Sequence, residues 1–368
     1  MSGLYIHIPF CHSKCYYCDF YSLPHNDDRH GEYIEALKRE YYHRQNEIYP
    51  INPSTIYIGG GTPSILPIRL LDDLLSAMPI ADAEEITIEV NPEDVTESFA
   101  DFLRHSPINR VSMGVQSLDA DVLRNIGRRH SPEDAIRAIS MLRESGIDNL
   151  SLDLIFGLPG QTLQSWQHSL EQILSFKPEH LSAYSLMLEP GTRLYAMARS
   201  GRFKESDQEL SEQMYRVLCS SARESGMEHY EISNFALPGY RSRHNSAYWD
   251  LTPYLGLGPG AHSFDGQTRR YNPSDLKLYL QSGTSLTETE TISPAQMINE
   301  YLLLRLRTLE GLSLNDFHLR FGEEEKDRLI RRADPYIRNG NLTLTPSALS
   351  IDERHWLVSD SILVDLFC

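Results

Sequence analysis

Runs of β-branched, aliphatic and aromatic residues recur along the first half of the chain, and most are followed by a stretch with helical periodicity. Residues 4–9 read as a strand that leads straight into a loop bearing three cysteines. Further strands are predicted over 55–58, 85–90, 110–116, 149–156 and 180–186. Helices are predicted between them over 32–48, 69–78, 99–105, 121–126, 132–145 and 163–175. The 69–78 segment places Leu70, Leu71, Leu74 and Leu75 on one face. The 132–145 segment opens with Pro132 at a favoured first-turn position and Ser131 as a cap.

Six strands separated by helices predict an α/β fold with a parallel sheet. A closed eight-fold barrel needs about 250 residues, so six strands in a shorter span predict a partial, open (βα)6 barrel. Functional groups in such sheets gather at the C-terminal ends of the strands. The cysteine loop, Gly59-Gly60-Gly61-Thr62-Pro63, Glu89-Val-Asn-Pro, Gln116 and Asp153 all fall at or near those ends. Five strands therefore converge on one mouth.

The pattern changes after Leu188. A turn at Glu189-Pro190-Gly191 precedes a long helix over 207–225, and 230–282 reads as ordered loops rich in Gly, Pro, Asn and aromatics. A polar threonine and glutamate run over 284–291 marks a boundary. The resulting division is a core over 1–190, a loop-rich extension over 191–283 and a C-terminal domain over 291–368. The tail predicts helices over 294–308, 314–321 and 323–339, a β pair over 342–345 and 348–351, and a last helix over 354–367. That mostly helical arrangement with a two-stranded wing looks like a winged helix.

Charge and composition narrow the function classes. The 368 residues carry a formal net charge of −17, which disfavours general nucleic-acid binding. The tail has no dense basic face, so it reads as a lid or docking module. No apolar run approaches the roughly twenty residues of a membrane span, and MSGLYIHIPF does not read as a signal peptide. Only five cysteines occur, two of them isolated at Cys219 and Cys368, unlike a disulfide framework. A reducing cytoplasm is expected.

Cys11, Cys15 and Cys18 have the spacing CxxxCxxC. A [4Fe–4S] cube normally takes four thiolates, and three from one loop would leave one iron for a small chelating molecule. Competing readings are a redox dithiol of Cys15 and Cys18, a Cys3His zinc knot using His7 or His12, and a disulfide. The glycine run lets backbone approach a ligand and exposes amides to an anion, or is simply a tight turn. Glu89 is placed to take an ammonium group, or is a solvated strand end. Gln116 and Asp153 interrupt apolar strands, where an unpaired buried charge is costly, so Asp153 is a candidate ligand or ribose contact, or else part of a structural buried pair. Arg128 is a candidate carboxylate clamp, or a surface arginine. His244, beside Tyr248 and Trp249, suits a flat aromatic ligand such as haem, or ordinary loop packing; His262 is similarly open. Tyr16, Tyr17 and Phe20 are placed to shield a cluster from water.

These residues together resemble the radical S-adenosylmethionine (SAM) superfamily. The likeness rests on Cys11, Cys15 and Cys18, on Gly59–Pro63 and on Glu89-Val-Asn-Pro. More narrowly the chain resembles the oxygen-independent coproporphyrinogen III oxidase-like (HemN/HemW) group, through Leu4-Tyr-Ile-His-Ile-Pro-Phe-Cys11, Ser112-Met-Gly-Val-Gln116-Ser, Asp153-Leu-Ile-Phe-Gly-Leu-Pro-Gly and the tail. The porphyrinogen dehydrogenases of that group carry a further cysteine where this chain has Phe20, and an N-terminal arm ahead of the loop. HemW-type haem chaperones lack both and carry HNxxYW, which His244-Asn245-Ser-Ala-Tyr248-Trp249 matches.

The resemblance implies that Cys11, Cys15 and Cys18 hold a [4Fe–4S] cluster. It implies that SAM lies against Tyr5, Gly60, Gly61, Thr62 and Glu89. Gln116, Arg128, Asp153 and Met187, with Tyr17 and His262, match further SAM-contact positions. His244 is the leading haem-ligand candidate, with Asn245, Tyr248 and Trp249 beside it. The function so implied is a haem chaperone on a radical SAM scaffold that delivers haem to a haem protein, without coproporphyrinogen turnover. The alternative is an oxidoreductase of porphyrin biosynthesis, in which a SAM-derived radical drives decarboxylation of two propionates. A non-catalytic winged-helix regulator is disfavoured by the acidic balance.

Overall fold

The computed structural model describes residues 2–24, 29–47, 52–282 and 287–368. Position 48 of the first expected helix and positions 284–286 of the expected boundary lie outside the described residues. The core is built on twelve strands of one mixed sheet. In chain order they are β1 (Gly3–Ile8), β2 (Thr55–Gly60), β3 (Glu85–Val90), β4 (Arg110–Gln116), β5 (Leu150–Phe156) and β6 (His180–Ser185). Then come β7 (Glu228–Glu231), β8 (Asn234–Ala236), β9 (Tyr254–Leu257), β10 (His262–Phe264), β11 (Thr268–Tyr271) and β12 (Glu288–Thr291). Their spatial order is β12-β11-β10-β9-β1-β2-β3-β4-β5-β6-β8-β7.

The stretch from β9 through β1 to β6 is parallel, and both flanks are antiparallel. The six expected strands are therefore present with the expected orientation, and β9 adds a seventh parallel strand beside β1. This corrects the reading of 230–282 as loops. The strands there are three or four residues long, too short for a periodicity to register, and they form by pairing with distant partners. Gly3 lies opposite Tyr254, and Tyr5 opposite Gly256.

Helices α1 (His30–Arg44), α2 (Ile68–Ala77), α3 (Glu97–His105), α4 (Ala120–Asn125), α5 (Pro132–Glu144) and α6 (Leu163–Ser175) connect the successive parallel strands. Leu70, Leu71, Leu74 and Leu75 of α2 are all buried, as their spacing requires. Ser131 caps α5 in a reciprocal capping box with Asp134. Beyond β6 lie α7 (Arg193–Arg199), which the hydrophobic pattern did not signal, α8 (Gln208–Glu224) and α9 (Arg243–Trp249).

Strands β2 to β4 and the first residues of β5 alternate, with a consequence for function. Ile56, Ile58, Ile86, Ile88, Val111, Met113, Leu152 and Leu154 join the apolar core beneath the helices. Each such side chain contributes about 1.5–3 kcal/mol by leaving water. Their neighbours in sequence project to the other face. These are Thr55, Tyr57, Thr87, Glu89, Arg110, Ser112, Ser151, Asp153, His180 and Ser182. The lumen of this barrel is thus lined by hydroxyls, carboxylates, imidazoles and a guanidinium. The sheet is stabilised from outside, and its interior is left to polar chemistry.

The tail has its own apolar core, including Tyr301, Leu302, Phe317, Leu349 and Trp356. It comprises helices α10 (Pro294–Arg305), α11 (Leu314–Phe321) and α12 (Glu323–Arg338) with a three-stranded antiparallel sheet. The third strand, Leu312–Ser313, was not expected. The expected last helix is broken into a 3-10 segment, Glu353–Val358, and a helix, Ser359–Leu366. Backbone bonds from Ile232 N–H to Arg307 O (3.1 Å) and from Leu309 N–H to Tyr230 O (3.0 Å) tie the tail to the core. Among the described residues no helix is long and apolar enough to cross a membrane.

Candidate functional site

A cavity of about 480 Å³ opens at the C-terminal ends of the parallel strands. Cys11, Cys15 and Cys18 line it, together with Tyr17, Gly60, Gly61, Thr62, Glu89, Gln116, Arg128, Asp153, Met187 and Asn245. The five strand ends expected to converge do so.

The loop of cysteines follows β1 and is held by its neighbours. Thr62 Oγ1 lies 3.5 Å from Cys11 Sγ, and Arg128 Nη1 lies 3.5 Å from Cys15 Sγ. Arg128 also donates to Asn91 Oδ1 at 2.8 Å and to the Gly114 carbonyl. Its guanidinium is therefore a brace between the loop and two strand ends. All three cysteines are partly exposed, and no disulfide forms among the described residues. Burial raises the Cys11 thiol and pushes Cys18 up to about 11.

The glycine run corrects one expectation. Its amides are already bonded within the protein. Gly60 N–H donates to Glu89 Oε2 (3.0 Å), Gly61 N–H to Ile8 O (2.8 Å) and Thr62 N–H to Phe10 O (2.8 Å). They clamp the start of the cysteine loop instead of offering donors to an anion. Glycine is required for this approach. Gly60 sits at φ +109°, and a Cβ there would overlap the His7 ring. A Cβ on Gly61 would lie 2.6 Å from Phe10 O and 3.1 Å from Cys11 Sγ.

Glu89 accepts from the Tyr57 hydroxyl (2.8 Å) and from Gly60 N–H, both neutral donors. Burial pushes its carboxyl up to about 7. Asp153, also raised by burial, accepts from Ser112 Oγ (3.0 Å) and Ser151 Oγ (3.2 Å). Gln116 holds φ +66°, a strained value for a residue with a side chain, where β4 slips register against β5.

Five expected site residues do not line the cavity. Tyr5 lies on β1 with its hydroxyl 3.0 Å from His7 Nδ1. His262 is exposed on β10 and stacks on Tyr271. His244 is buried, with Nδ1 2.8 Å from Thr55 Oγ1 and Nε2 2.9 Å from the Tyr248 hydroxyl. It also stacks on Tyr57, and burial lowers its pKa to about 3. Tyr248 is occupied with it, and Trp249, the last residue of α9, does not line the cavity. Of the HNxxYW residues, Asn245 alone reaches the cavity. The reason is α9, whose N-terminus is fastened under the barrel by Glu85, which accepts from Arg243 N–H and His244 N–H.

Motif reading missed Tyr57, Ser112 and Ser182 on the wall and Arg110 beneath it. Their signal was parity: each lies an even number of residues from Glu89 or Asp153 on its strand or at a paired position. Arg110 is 1% exposed, and its Nε and Nη1 have no hydrogen-bond partner among the described residues.

The donor set fits the groups the sequence implied. Three free thiols on one cavity wall suit a cluster that takes each thiolate on a separate iron. Among the described residues no three His, Cys, Asp or Glu side chains converge closely enough for a single metal ion. A raised carboxylate answered only by neutral donors suits an ammonium group.

The Radical SAM superfamily model matches residues 5–173, and the HemN C-terminal domain model matches residues 292–358. The chain is 38% identical over 331 residues to Heme chaperone HemW of Bacillus subtilis, covering 88% of this chain and 87% of that protein. It is 33% identical over 376 residues to Heme chaperone HemW of Escherichia coli, covering 98% and 97%. The solved structure of coproporphyrinogen III oxidase (HemN) from Escherichia coli superposes with a TM-score of 0.84 at 24% identity, over 99% of this chain and 89% of that one. Relatives more than 30% identical over nearly the whole chain, with both family models matched, show the family: the chain belongs to the HemW family of the radical SAM superfamily.

Proposed function

We propose that this protein is a haem chaperone that binds haem and passes it to a haem-receiving protein, on a scaffold that also holds a [4Fe–4S] cluster and SAM. The observation that carries the reading is its full-length likeness to proteins named heme chaperones. Cys11, Cys15 and Cys18 would hold three irons of the cluster. SAM would lie along the wall formed by Gly60, Gly61, Thr62, Glu89, Gln116 and Asp153. Bound together, the cluster and SAM supply one-electron chemistry.

The chain's own residues would bind and orient. Glu89 is a carboxylate in need of a cation, so the amino group of SAM would find its counter-charge there. Asp153, held by serine hydroxyls, would accept from a ribose hydroxyl. Arg128 would keep the cysteine loop at a fixed distance from the strand ends, through Cys15, Asn91 and Gly114. The tail, with a core separate from that of the barrel, would dock the receiving protein. The five cysteines, none in a disulfide among the described residues, are in keeping with a reducing cytoplasm.

The test is anaerobic reconstitution followed by two assays on one preparation, haem titration and turnover of coproporphyrinogen. Stoichiometric haem binding, transfer to an apo haem protein and no decarboxylation are expected. A wild-type protein that takes up no haem ends this reading.

A further inference from the structure

We propose that haem is received at the rim of the cavity, against Phe20, Tyr184 and Met187, with the Met187 sulfur facing the iron. The inference rests on the haem-chaperone reading and locates its cargo. It departs from His244, the residue the sequence motif singles out, and it takes Met187, 68% exposed, out of the SAM contacts that the resemblance implied.

Three observations carry it. Exposed apolar side chains are common singly, and it is their grouping at one site that marks a binding surface. Phe20 and Met187 are 65% and 68% exposed, Tyr184 is 43% exposed, and all three line this one cavity. Below them the wall is polar, with Glu89, Asp153, Ser112 and Ser182. An apolar macrocycle pressed onto that floor would strip water from carboxylates and return no hydrogen bond. The cavity thus has a polar floor suited to SAM, and at its rim Phe20, Tyr184 and Met187, set among the polar Ser13, Lys14, Asp19 and Ser185, offer apolar surface to the faces of a flat ring.

The second observation is charge. A tetrapyrrole of this class carries propionates, and the chain as a whole is acidic. Two cations line the cavity, Lys14 and Arg128. Arg128 is engaged by Cys15, Asn91 and Gly114. Lys14 is exposed and is held beside Phe20 by a 3.0 Å bond from its Nζ to the Phe20 carbonyl. Asp19 and Glu189, which also line the cavity, would repel a propionate, so the exposed Lys14 is the cation left to pair with one.

The third observation is ligation. A thioether on an unbranched chain is an established type of haem-iron ligand, and that of Met187 is exposed on the rim. The His244 imidazole has both nitrogens hydrogen-bonded and one face on Tyr57. Binding iron from there would break at least one of these bonds and pull the ring out of its buried place against Tyr57.

The experiment is haem titration of the cluster-loaded, SAM-saturated protein, read by Soret absorbance and by electron paramagnetic resonance. SAM binding is followed separately by calorimetry. Phe20→Ser/Met187→Ser is expected to weaken haem binding at least tenfold and leave SAM affinity within about twofold. Met187→Leu, which keeps the apolar bulk, is expected to change the spectra of bound haem with at most a threefold change in affinity. Should wild type bind haem while the double variant binds it equally well, the rim site is overturned and the chaperone reading stands. Unchanged spectra in Met187→Leu overturn the sulfur ligand. Loss of SAM affinity in the double variant assigns the rim to SAM and overturns the proposal. If wild type binds no haem, both readings fall together.

Discussion

His244 Nδ1 and Thr55 Oγ1 lie 2.8 Å apart although 189 residues separate them in the chain. The bond joins the HNxxYW helix to the first residue of the second barrel strand. With the Tyr248 hydroxyl on the other nitrogen, the imidazole acts as a bracket that holds α9 against the open barrel.

His244→Ala is therefore expected to lower stability by about 2–4 kcal/mol. It leaves two hydroxyls without their partner and opens a space beside Tyr57. Urea unfolding of the protein without ligands measures this. Haem bound per folded chain is expected to match wild type; a normal unfolding midpoint combined with lost haem would reverse this assignment.

Glu89 predicts two opposite pH trends. Its folded pKa of about 7 lies above the ordinary value of 4.5. The stability it contributes is fully present below pH 4.5 and is lost as pH rises through 7. Glu231, raised to about 7 by burial, adds to the same trend. In the ligand-free protein, Glu89→Gln should thus be more stable than wild type at pH 8, with a shallower decline between pH 4.5 and 7. Cation binding needs the ionised form, so SAM affinity should rise about tenfold per unit up to pH 7 and then level off. In Glu89→Gln that rise should vanish. Calorimetry at three pH values with thermal melts checks both arms.

Gly60→Ala should destabilise by about 2–4 kcal/mol, because it combines a left-handed backbone with a side chain driven into the His7 ring. Gly60 is adjacent to the clamp on the cysteine loop, so iron bound per chain should fall along with the melting temperature. Retention of full iron content would show that the clamp is not needed to present the thiols.

Arg44 ties α1 to β9 and β10. Buried in α1, it donates to Glu40 (2.7 Å), to the Gly256 carbonyl (3.1 Å) and to Ser263 (3.1 Å). Glu40 in turn accepts from Gly258 N–H (2.8 Å), Asn272 (2.7 Å) and Tyr279 (2.7 Å). Arg44→Met should cost about 3–5 kcal/mol by leaving a buried carboxylate without its cation. Arg44→Met/Glu40→Gln should recover part of that loss. Equal midpoints for the single and double variants in urea would contradict the account.

Much of this was legible without coordinates. The six parallel strands, the helices between them and the convergence of Cys11, Gly60, Glu89, Gln116 and Asp153 follow from local periodicity and from the rule that such sites lie at strand ends. The wall residues Tyr57, Ser112 and Ser182 escaped because a lone Tyr or Ser in a strand carries no motif. The donor role expected of the glycine amides failed because their partners, Ile8 O, Phe10 O and Glu89, come from other elements.

The amino-acid order alone determined that a three-thiol loop would sit at the mouth of a barrel faced outward with aliphatics and inward with polar groups. Period-two alternation and helix amphipathicity are local properties, set by backbone geometry within a few residues. Only the tertiary structure decided that Tyr254–Leu257 would pair with β1, that His244 would be buried under the strands, and that Phe20 and Met187 would share one rim. Those outcomes depend on which distant surfaces meet, and the choice is made by burial and hydrogen bonding between segments far apart in the chain.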